Sequence, residues 1–348
     1  MEQLAIHDMG YYIQRLVERK DLSEEEACGA MRLIMSGRAT QSQIGGFLTA
    51  MRMKGVSVGE VTAFAKAMRE FALRISPRVE GRLVDMCGTG GDAIKTFNIS
   101  TVASFVVAAA GIPVAKHGNR SVTSKSGSAD VLEALGARID LKPLEVERLI
   151  EEIGFGFMYA PVFHGAMRHA LGPRREIGIR TVFNLLGPLT NPASAKAQVM
   201  GVYEEGLVVP VARVLKNLGV ERAMVVHGAG GLDEVSTFGP TYVCEVYDGL
   251  IRQYTLTPGE LGLEKASVAD LRGGDSKANA EIAMKILGGI KGPRRDVVLL
   301  NAACGIYVGG RASSLQEAMG VAAESVDSGA ALEKLKEYVE RSRLEAYA

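Results

Sequence analysis

The chain has 348 residues, 47% of them hydrophobic, with no Trp and few aromatics; this exceeds what one core normally serves, so two lobes built on Ala, Val, Leu and Ile are expected. Forty Lys and Arg balance forty Asp and Glu, which excludes a global field drawing in nucleic acid or an anionic membrane and leaves any anionic ligand to a local site. The four cysteines, Cys28, Cys87, Cys244 and Cys304, form no Cys-x-x-Cys pair, which argues against structural zinc and disulfides.

The opening "MEQLAIHDMG" is acidic and lacks an apolar signal core, and "NISTVASFVVAAAG" is too short and punctuated to cross a bilayer. A soluble, cytoplasmic protein is expected. Residues 1–76 read as all helix. "SEEE" (23–26), "TQSQ" (40–43) and "SVGE" (57–60) each match a capping box. After the third, Val61, Phe64, Ala65, Met68, Phe71 and Ala72 recur at helical spacing. Pro77 closes the section. Beyond it, "RLVDMC", "IPVAKHG", "KAQVMGVY" and "ERAMVVHG" read as short buried strands, and "STVASFVVAAAG", "SADVLEALG" and "LVVPVARVLKNLG" as the helices between them. Such alternation predicts a largely parallel sheet covered by helices. Cys87 reads as a small buried hydrophobe ending the first strand.

Residues 163–192 read as helices and turns without a strand, so the chain is expected to return to the helical lobe over 164–190. "STFGPTYVCEVYDGLIRQYTLTP" reads as antiparallel strands, and the last hundred residues as mostly helix. The expected fold class is α/β: a small helical domain (1–76, rejoined by 164–190) and a large α/β domain (77–163 and 191–348) with a mostly parallel central sheet.

Three stretches carry chemistry. The first is "DMCGTGGDAIKTFNIS" (85–100). Glycines after a strand let amides approach phosphate oxygens, and a following helix start adds positive potential. A Walker loop requires Gly-Lys-Ser/Thr, which is absent. Gly88, Gly90 and Ala93 match a dinucleotide fingerprint loosely, but Lys116 and His117 stand where that motif wants an acid for ribose, and Asp92 would repel a bare diphosphate. What remains is a diphosphate held with help from metal, the carboxylate addressing ribose or metal-bound water. The second stretch, "KHGNRSVTSKSGSADVLEALG", gathers Lys116, His117, Asn119, Arg120, Ser121, Thr123, Ser124 and Ser128 after the next strand, at the end where open α/β sheets bind ligands. In the third, "VVHGAGGLDEVS", Asp233 and Glu234 stand side by side after a strand and a glycine turn, hard oxygen ligands suited to Mg²⁺.

"GTGGD", "NIST", "KHGNRS…GSAD" and "GLDE", with "RTVFNLLGPLTNPA" before the last, closely resemble the anthranilate phosphoribosyltransferase family along nearly the whole chain, and pyrimidine nucleoside phosphorylases more distantly. The resemblance implies transfer of the phosphoribosyl group of 5-phosphoribosyl 1-diphosphate to the amine of anthranilate in tryptophan biosynthesis, with Mg²⁺ as cofactor and a homodimer as the assembly. It implies that Gly88, Gly91, Asp92, Thr96, Asn98, Ile99, Ser100 and Thr101, then Lys116, His117, Gly118, Asn119, Arg120, Ser121, Val122, Thr123, Ser124 and Ser128, hold the diphosphate sugar. By the same likeness Gly88, Asn119 and Arg174 contact anthranilate, Met158, His164 and Pro188 line its approach, and Ser100, Asp233 and Glu234 serve the metal. No general base is assigned, because the aromatic amine is already neutral at pH 7. Thr123 in place of Ser, Gly165 in place of Pro, and Ala229-Gly230 before "GLDE" depart from the family pattern without removing a functional group. Two other readings are weighed. A phosphorylase of the same fold would carry a Lys-His-Ser-Gly segment where this chain has Lys116-His117-Gly118-Asn119. An inactive nucleic-acid binder would show excess basic charge and eroded carboxylates.

Overall fold

The computed structural model describes residues 7–91, 94–121 and 125–344. Four helices open the chain: α1 (Met9–Val17), α2 (Glu24–Met35), α3 (Gln41–Lys54) and α4 (Val58–Glu70). The Ser23, Thr40 and Ser57 side chains each accept from the amide three residues on, and Glu26, Gln43 and Glu60 reach back, so all three capping boxes are made. Glu60 also works at longer range. It is fully buried, and it accepts from Lys54 Nζ at 2.9 Å and from Leu22 N at 3.0 Å, fastening α4 to α3 and to the approach to α2. Val61, Phe64, Ala65 and Met68 are buried as the periodicity predicts, but α4 ends at Glu70 and Phe71 is exposed. The expected face runs too far because the backbone leaves the helix here to pair elsewhere: Leu73 N donates to Phe163 O and Ile75 N to Pro192 O.

Among the described residues, β1 (Val84–Gly88), β2 (Val114–Gly118), β3 (Phe155–Tyr159), β4 (Ala197–Gly201), β5 (Arg222–Gly228), β6 (Thr241–Tyr247) and β7 (Leu250–Leu256) form one sheet in the order β3-β2-β1-β4-β5-β6-β7. β3 through β5 run parallel, and β6 and β7 add an antiparallel hairpin turning at Asp248 and Gly249, both at positive φ. α5 (Ile99–Ala109), α6 (Ser128–Ala134) and α7 (Pro143–Ile153) make the crossovers from β1 to β3. α8 (Ala160–Phe163), α9 (Arg168–Ile177) and α10 (Phe183–Leu189) then carry the chain back to the helical lobe, α9 against α2 and α3 and α10 against α4. α11 (Val208–Asn217) joins β4 to β5, and α12 (Ser276–Leu287), α13 (Pro293–Gly309), α14 (Leu315–Asp327) and α15 (Ala330–Leu344) complete the fold.

Strand residues alternate between two cores, as the period of two requires. Val84, Met86, Val199, Met224 and Val226 face the core under α5 and α13. Cys87, Met200 and Val225 face the other, which runs unbroken through α11 into Phe47, Phe64 and Leu186 of the helical lobe. The cores are thus divided by the sheet, and the helical lobe shares one of them. In chain order the sheet grows from β1 to β3 on one side, then jumps to β4 on the other. Parallel sheets bind ligands at the crevice such a reversal opens beyond the strand ends, and Gly88 and Gly201 end β1 and β4 there as paired neighbours.

Candidate active site

The turn carrying Asp233 and Glu234 lies directly across those two strand ends. A Cβ on Gly201 would stand 1.6 Å from the Asp233 carbonyl oxygen, and one on Gly88 would stand 2.3 Å from Asp233 Oδ2. Only glycine permits this approach at either position. The carboxylates then reach the two other motifs. Asp233 Oδ2 accepts from Gly90 N at 2.7 Å, and Glu234 Oε1 accepts from Ser100 N at 3.1 Å. The acidic turn thus meets, at the switch point, two stretches more than a hundred residues before it in sequence. On the far side of the glycine loop, Arg180 Nη2 donates to Gly91 O at 2.8 Å while its guanidinium stacks 4.2 Å over the Tyr203 ring. Nothing in the spacing singled out Arg180, because its partners come from two other elements. Asp92 lies outside the described residues.

Beneath the loop is a buried charged layer. Lys116 Nζ donates to Met86 O at 2.5 Å and lies 3.4 Å from Ser100 Oγ. Burial lowers its pKa while Asp85, Cys87 and Glu234 oppose that shift. Asp85, a strand residue that sequence reading passed over, is fully buried, so its carboxyl is pushed up; Oδ1 accepts from His117 N at 3.2 Å. Cys87 is buried as expected and its thiol is held well up by burial. α5 begins at Ile99, but Asn98 does not cap it with its side chain. Its Nδ2 instead donates to Ser126 O at 3.1 Å, and its Oδ1 accepts from Asn279 Nδ2 at 3.0 Å. Thr96 pairs with Arg272 as an isolated bridge, and Ile99 and Thr101 are buried behind the helix start.

The second loop is organised by Asp130, another residue missed in sequence: its Oδ2 accepts from Ser121 N at 3.0 Å and from Gly127 N at 2.8 Å. Asn119 O accepts from Ser128 Oγ at 3.3 Å, and Gly118 packs against Ser128 and Phe157 with no room for a side chain. Arg120 pairs with Asp130 at 2.9 Å and with Glu133 at 2.8 Å, so two carboxylates claim its guanidinium. Val122, Thr123 and Ser124 lie outside the described residues.

The residues expected near the aromatic substrate gather where α8, α9 and α10 cross from sheet to helical lobe. Arg174 on α9 is half-buried 5.2 Å over the Phe183 ring, and burial lowers its pKa. Met158 is fully buried on β3 opposite His117, a wall behind the path and not part of an open rim. Pro188 is half-buried in α10, its carbonyl accepting from Gln198 Nε2 at 2.8 Å. His117 and His164 lie 5.0 Å apart. Each Nε2 is buried without a partner, and each ring hydrogen-bonds the α10 end of the crossing segment, at the backbone of Gly187 and Thr190 respectively. Burial lowers His117 to about 3 and His164 to about 4. Both imidazoles are neutral at pH 7.

The known relatives match nearly the whole chain. The family model described as glycosyl transferase family, helical bundle domain, matches residues 11–72, and that described as glycosyl transferase family, a/b domain, matches residues 80–332. The anthranilate phosphoribosyltransferase of Acetivibrio thermocellus is 55% identical over 94% of this chain and 95% of its own. That of Petrotoga mobilis is 53% identical over 95% of this chain and 96% of its own. The chain belongs to the anthranilate phosphoribosyltransferase family. It is a pentosyltransferase of tryptophan biosynthesis. Among solved family members, the Thermus thermophilus enzyme superimposes with a TM-score of 0.91 at 44% identity, covering 95% of this chain and 99% of that one. The Saccharomyces cerevisiae enzyme in complex with PRPP and Mg superimposes with a TM-score of 0.88 at 28% identity, covering 97% and 99%.

The residues here fit a divalent cation. Asp233 is buried, and Glu234 beside it is raised to about 8 by desolvation and by Asp233, a pair of repelling oxygens that a cation would relieve. Among the described residues no group of three or more His, Cys, Asp or Glu could hold a metal. Asp233 and Glu234 are the described carboxylates that would hold such a cation; substrate oxygens and water commonly complete a Mg²⁺ shell.

Proposed function

We propose that this chain transfers the phosphoribosyl group of 5-phosphoribosyl 1-diphosphate to the amine of anthranilate with the residues just described. The observation that carries the assignment is the joint engagement of Gly90 N and Ser100 N by Asp233 and Glu234, which draws the glycine loop, the start of α5 and the acidic turn around one crevice. Gly88, Gly91, Asp92 and Thr96, the segment from Asn98 to Thr101, and the loop from Lys116 to Ser124 with Ser128 hold the diphosphate sugar. Thr89 N and Gly90 N are given to Gly201 O and Asp233 Oδ2, so in this reading the other donors of the two loops serve the diphosphate, where negative charge grows as it leaves. Mg²⁺, near Asp233, Glu234 and Ser100, would supply electrostatic stabilisation of that leaving group when bound.

Arg174 offers a two-pronged donor for the anthranilate carboxylate, and Asn119 and Gly88 complete its cradle. The amine attacks the anomeric carbon with inversion; the C–O bond breaks, its electron pair departs with diphosphate, and after the C–N bond forms the nitrogen's proton passes to the released diphosphate or to water. Neutral His117 and His164 pack behind this path and are not required as bases. Closure of the lobes over both substrates would exclude water, which otherwise hydrolyses the activated sugar. The same reading includes a cytoplasmic homodimer joined through the helical lobe, supported by Val17 and Met53, 63% and 73% exposed there; sedimentation equilibrium tests it.

The test is the loss of anthranilate fluorescence on mixing protein, Mg²⁺ and phosphoribosyl diphosphate, with diphosphate release followed in parallel. Decay that stops on chelation and matches diphosphate one for one supports the assignment. Folded protein that consumes the sugar with a pyrimidine or with none of these acceptors overturns it.

A further inference from the structure

Asn98 sits at the one position of α5 where Asn ordinarily caps the helix, and it does not cap. Both ends of its amide are spent on holding other segments. Nδ2 donates to Ser126 O in the second loop. Oδ1 accepts from Asn279 Nδ2, a side chain only 2% exposed in the first turns of α12. Asn279 is itself fixed, since its Oδ1 accepts from Gly274 N at 2.8 Å. The strap before α12 is laced to the first loop from the other side: Gly273 N donates to Lys95 O at 3.2 Å and Phe97 N to Leu271 O at 3.3 Å. Without Asn279 the Asn98 amide would keep its bonds to Ser126 but lose its tie to α12.

We propose that Asn279 is a positioning residue that fixes both sugar-diphosphate loops in one frame through Asn98. The inference rests on the reading above that these loops hold the diphosphate sugar. In this role Asn279 acts by dictating which way the Asn98 amide faces. With the Asn279 donor in place, Asn98 Oδ1 must point at α12 and Nδ2 at Ser126 O. A reversed amide would set oxygen against oxygen at Ser126 and donor against donor at Asn279, leaving half-buried polar groups unsatisfied. No spacing rule marks Asn279 in sequence, since it lies 181 residues from its partner.

Asn279→Asp tests this with almost no change of shape. It keeps the acceptor for Gly274 N and replaces the donor with an oxygen facing Asn98 Oδ1. Asp is well tolerated near a helix start, so the fold should persist. The KM for phosphoribosyl diphosphate should rise about tenfold or more, the size of one lost and opposed hydrogen bond, while the KM for anthranilate stays near wild type and the melting temperature falls, since the opposed oxygens are buried in the free protein too. Asn98→Asp, which leaves α12 untouched and removes only the donor to Ser126 O, should reproduce the same split. A drop in melting temperature with both KM values unchanged, or an equal rise in both, would overturn the inference. Wild-type protein that does not turn over phosphoribosyl diphosphate would instead overturn the reading beneath it.

Discussion

The two buried histidines make a quantitative claim about acid stability. His117 and His164 have folded pKa values of about 3 and about 4, below the unfolded value of about 6.5. Between those limits the unfolded chain binds protons that the folded chain refuses. Their contribution is therefore intact above pH 6.5 and is lost as pH falls toward the folded values. From pH 7 to pH 5 each imidazole should cost roughly 2 kcal/mol of stability, about 4 for the pair. The pair must be treated together because His164 is one cause of the lowered His117 value. The assay is urea unfolding followed by far-ultraviolet circular dichroism at both pH values, on wild type and on the His117→Asn/His164→Asn double variant. Carboxylates elsewhere contribute equally to both proteins and cancel. The variant should lose about 4 kcal/mol less than wild type between pH 7 and pH 5. Equal losses would refute the idea that this pair is buried neutral, and would revive either ring as a protonated group near the substrate path.

The remaining predictions probe placement. Gly201→Ala puts a methyl into the Asp233 backbone, which cannot yield as a flexible side chain does, so kcat/KM should fall about 100-fold and stability by ~1–3 kcal/mol. Gly206→Ala, with nothing within 4 Å of its added carbon, is the control and should match wild type in both. Arg174→Ala should raise the KM for anthranilate at least tenfold, by loss of a charged hydrogen bond, with a far smaller effect on that for the diphosphate sugar; equal effects would assign Arg174 to folding. Glu60→Gln leaves Lys54, whose side chain is 5% exposed, with Asp21 as its ion-pair partner, and should cost roughly 2–3 kcal/mol in denaturant unfolding without changing either KM.

How far the sequence carried depended on whether the signal was local. Capping boxes are local, and all three formed where Ser23, Thr40 and Ser57 stand. The β1, β2, β4 and β5 strands announced themselves as apolar runs bounded by glycine. β3 did not: "FGFMY" follows α7 with a single glycine between and contains another, Gly156, that packs against Val146 and Ile150. The end of α4 was misjudged because the hydrogen bonds that stop it come from Phe163 and Pro192, invisible to any window on residues 58–72. The same holds in the site. The motifs stood out as runs of glycine and hydroxyl; Asp85, Asp130 and Arg180 lie inside the quoted stretches, yet their roles, like that of Asn279, emerge only from the partners that the fold gives them.

The glycine loop with its own aspartate posed a conflict between phosphate and carboxylate, and the described cations sharpen it. Lys116 is committed to Met86 O, Arg120 to Asp130 and Glu133, and Arg180 to Gly91 O and Tyr203. Beside them lie Asp85, whose carboxyl is pushed up by burial, and Asp233 next to Glu234, whose carboxyl burial and Asp233 push up. A diphosphate arriving here would also meet Lys95, Lys125 and Arg272, which line the cavity between the two loops, so the acids on one side of the crevice face cations on the other. Under the proposed function Asp233 and Glu234 would hold a divalent cation arriving with the diphosphate, which would favour the ionised form of Glu234, while Gly90 N and Ser100 N donate to the two carboxylates. In the reading proposed above, the acid beside the glycine loop is accounted for by a divalent cation that the sugar diphosphate would bring with it.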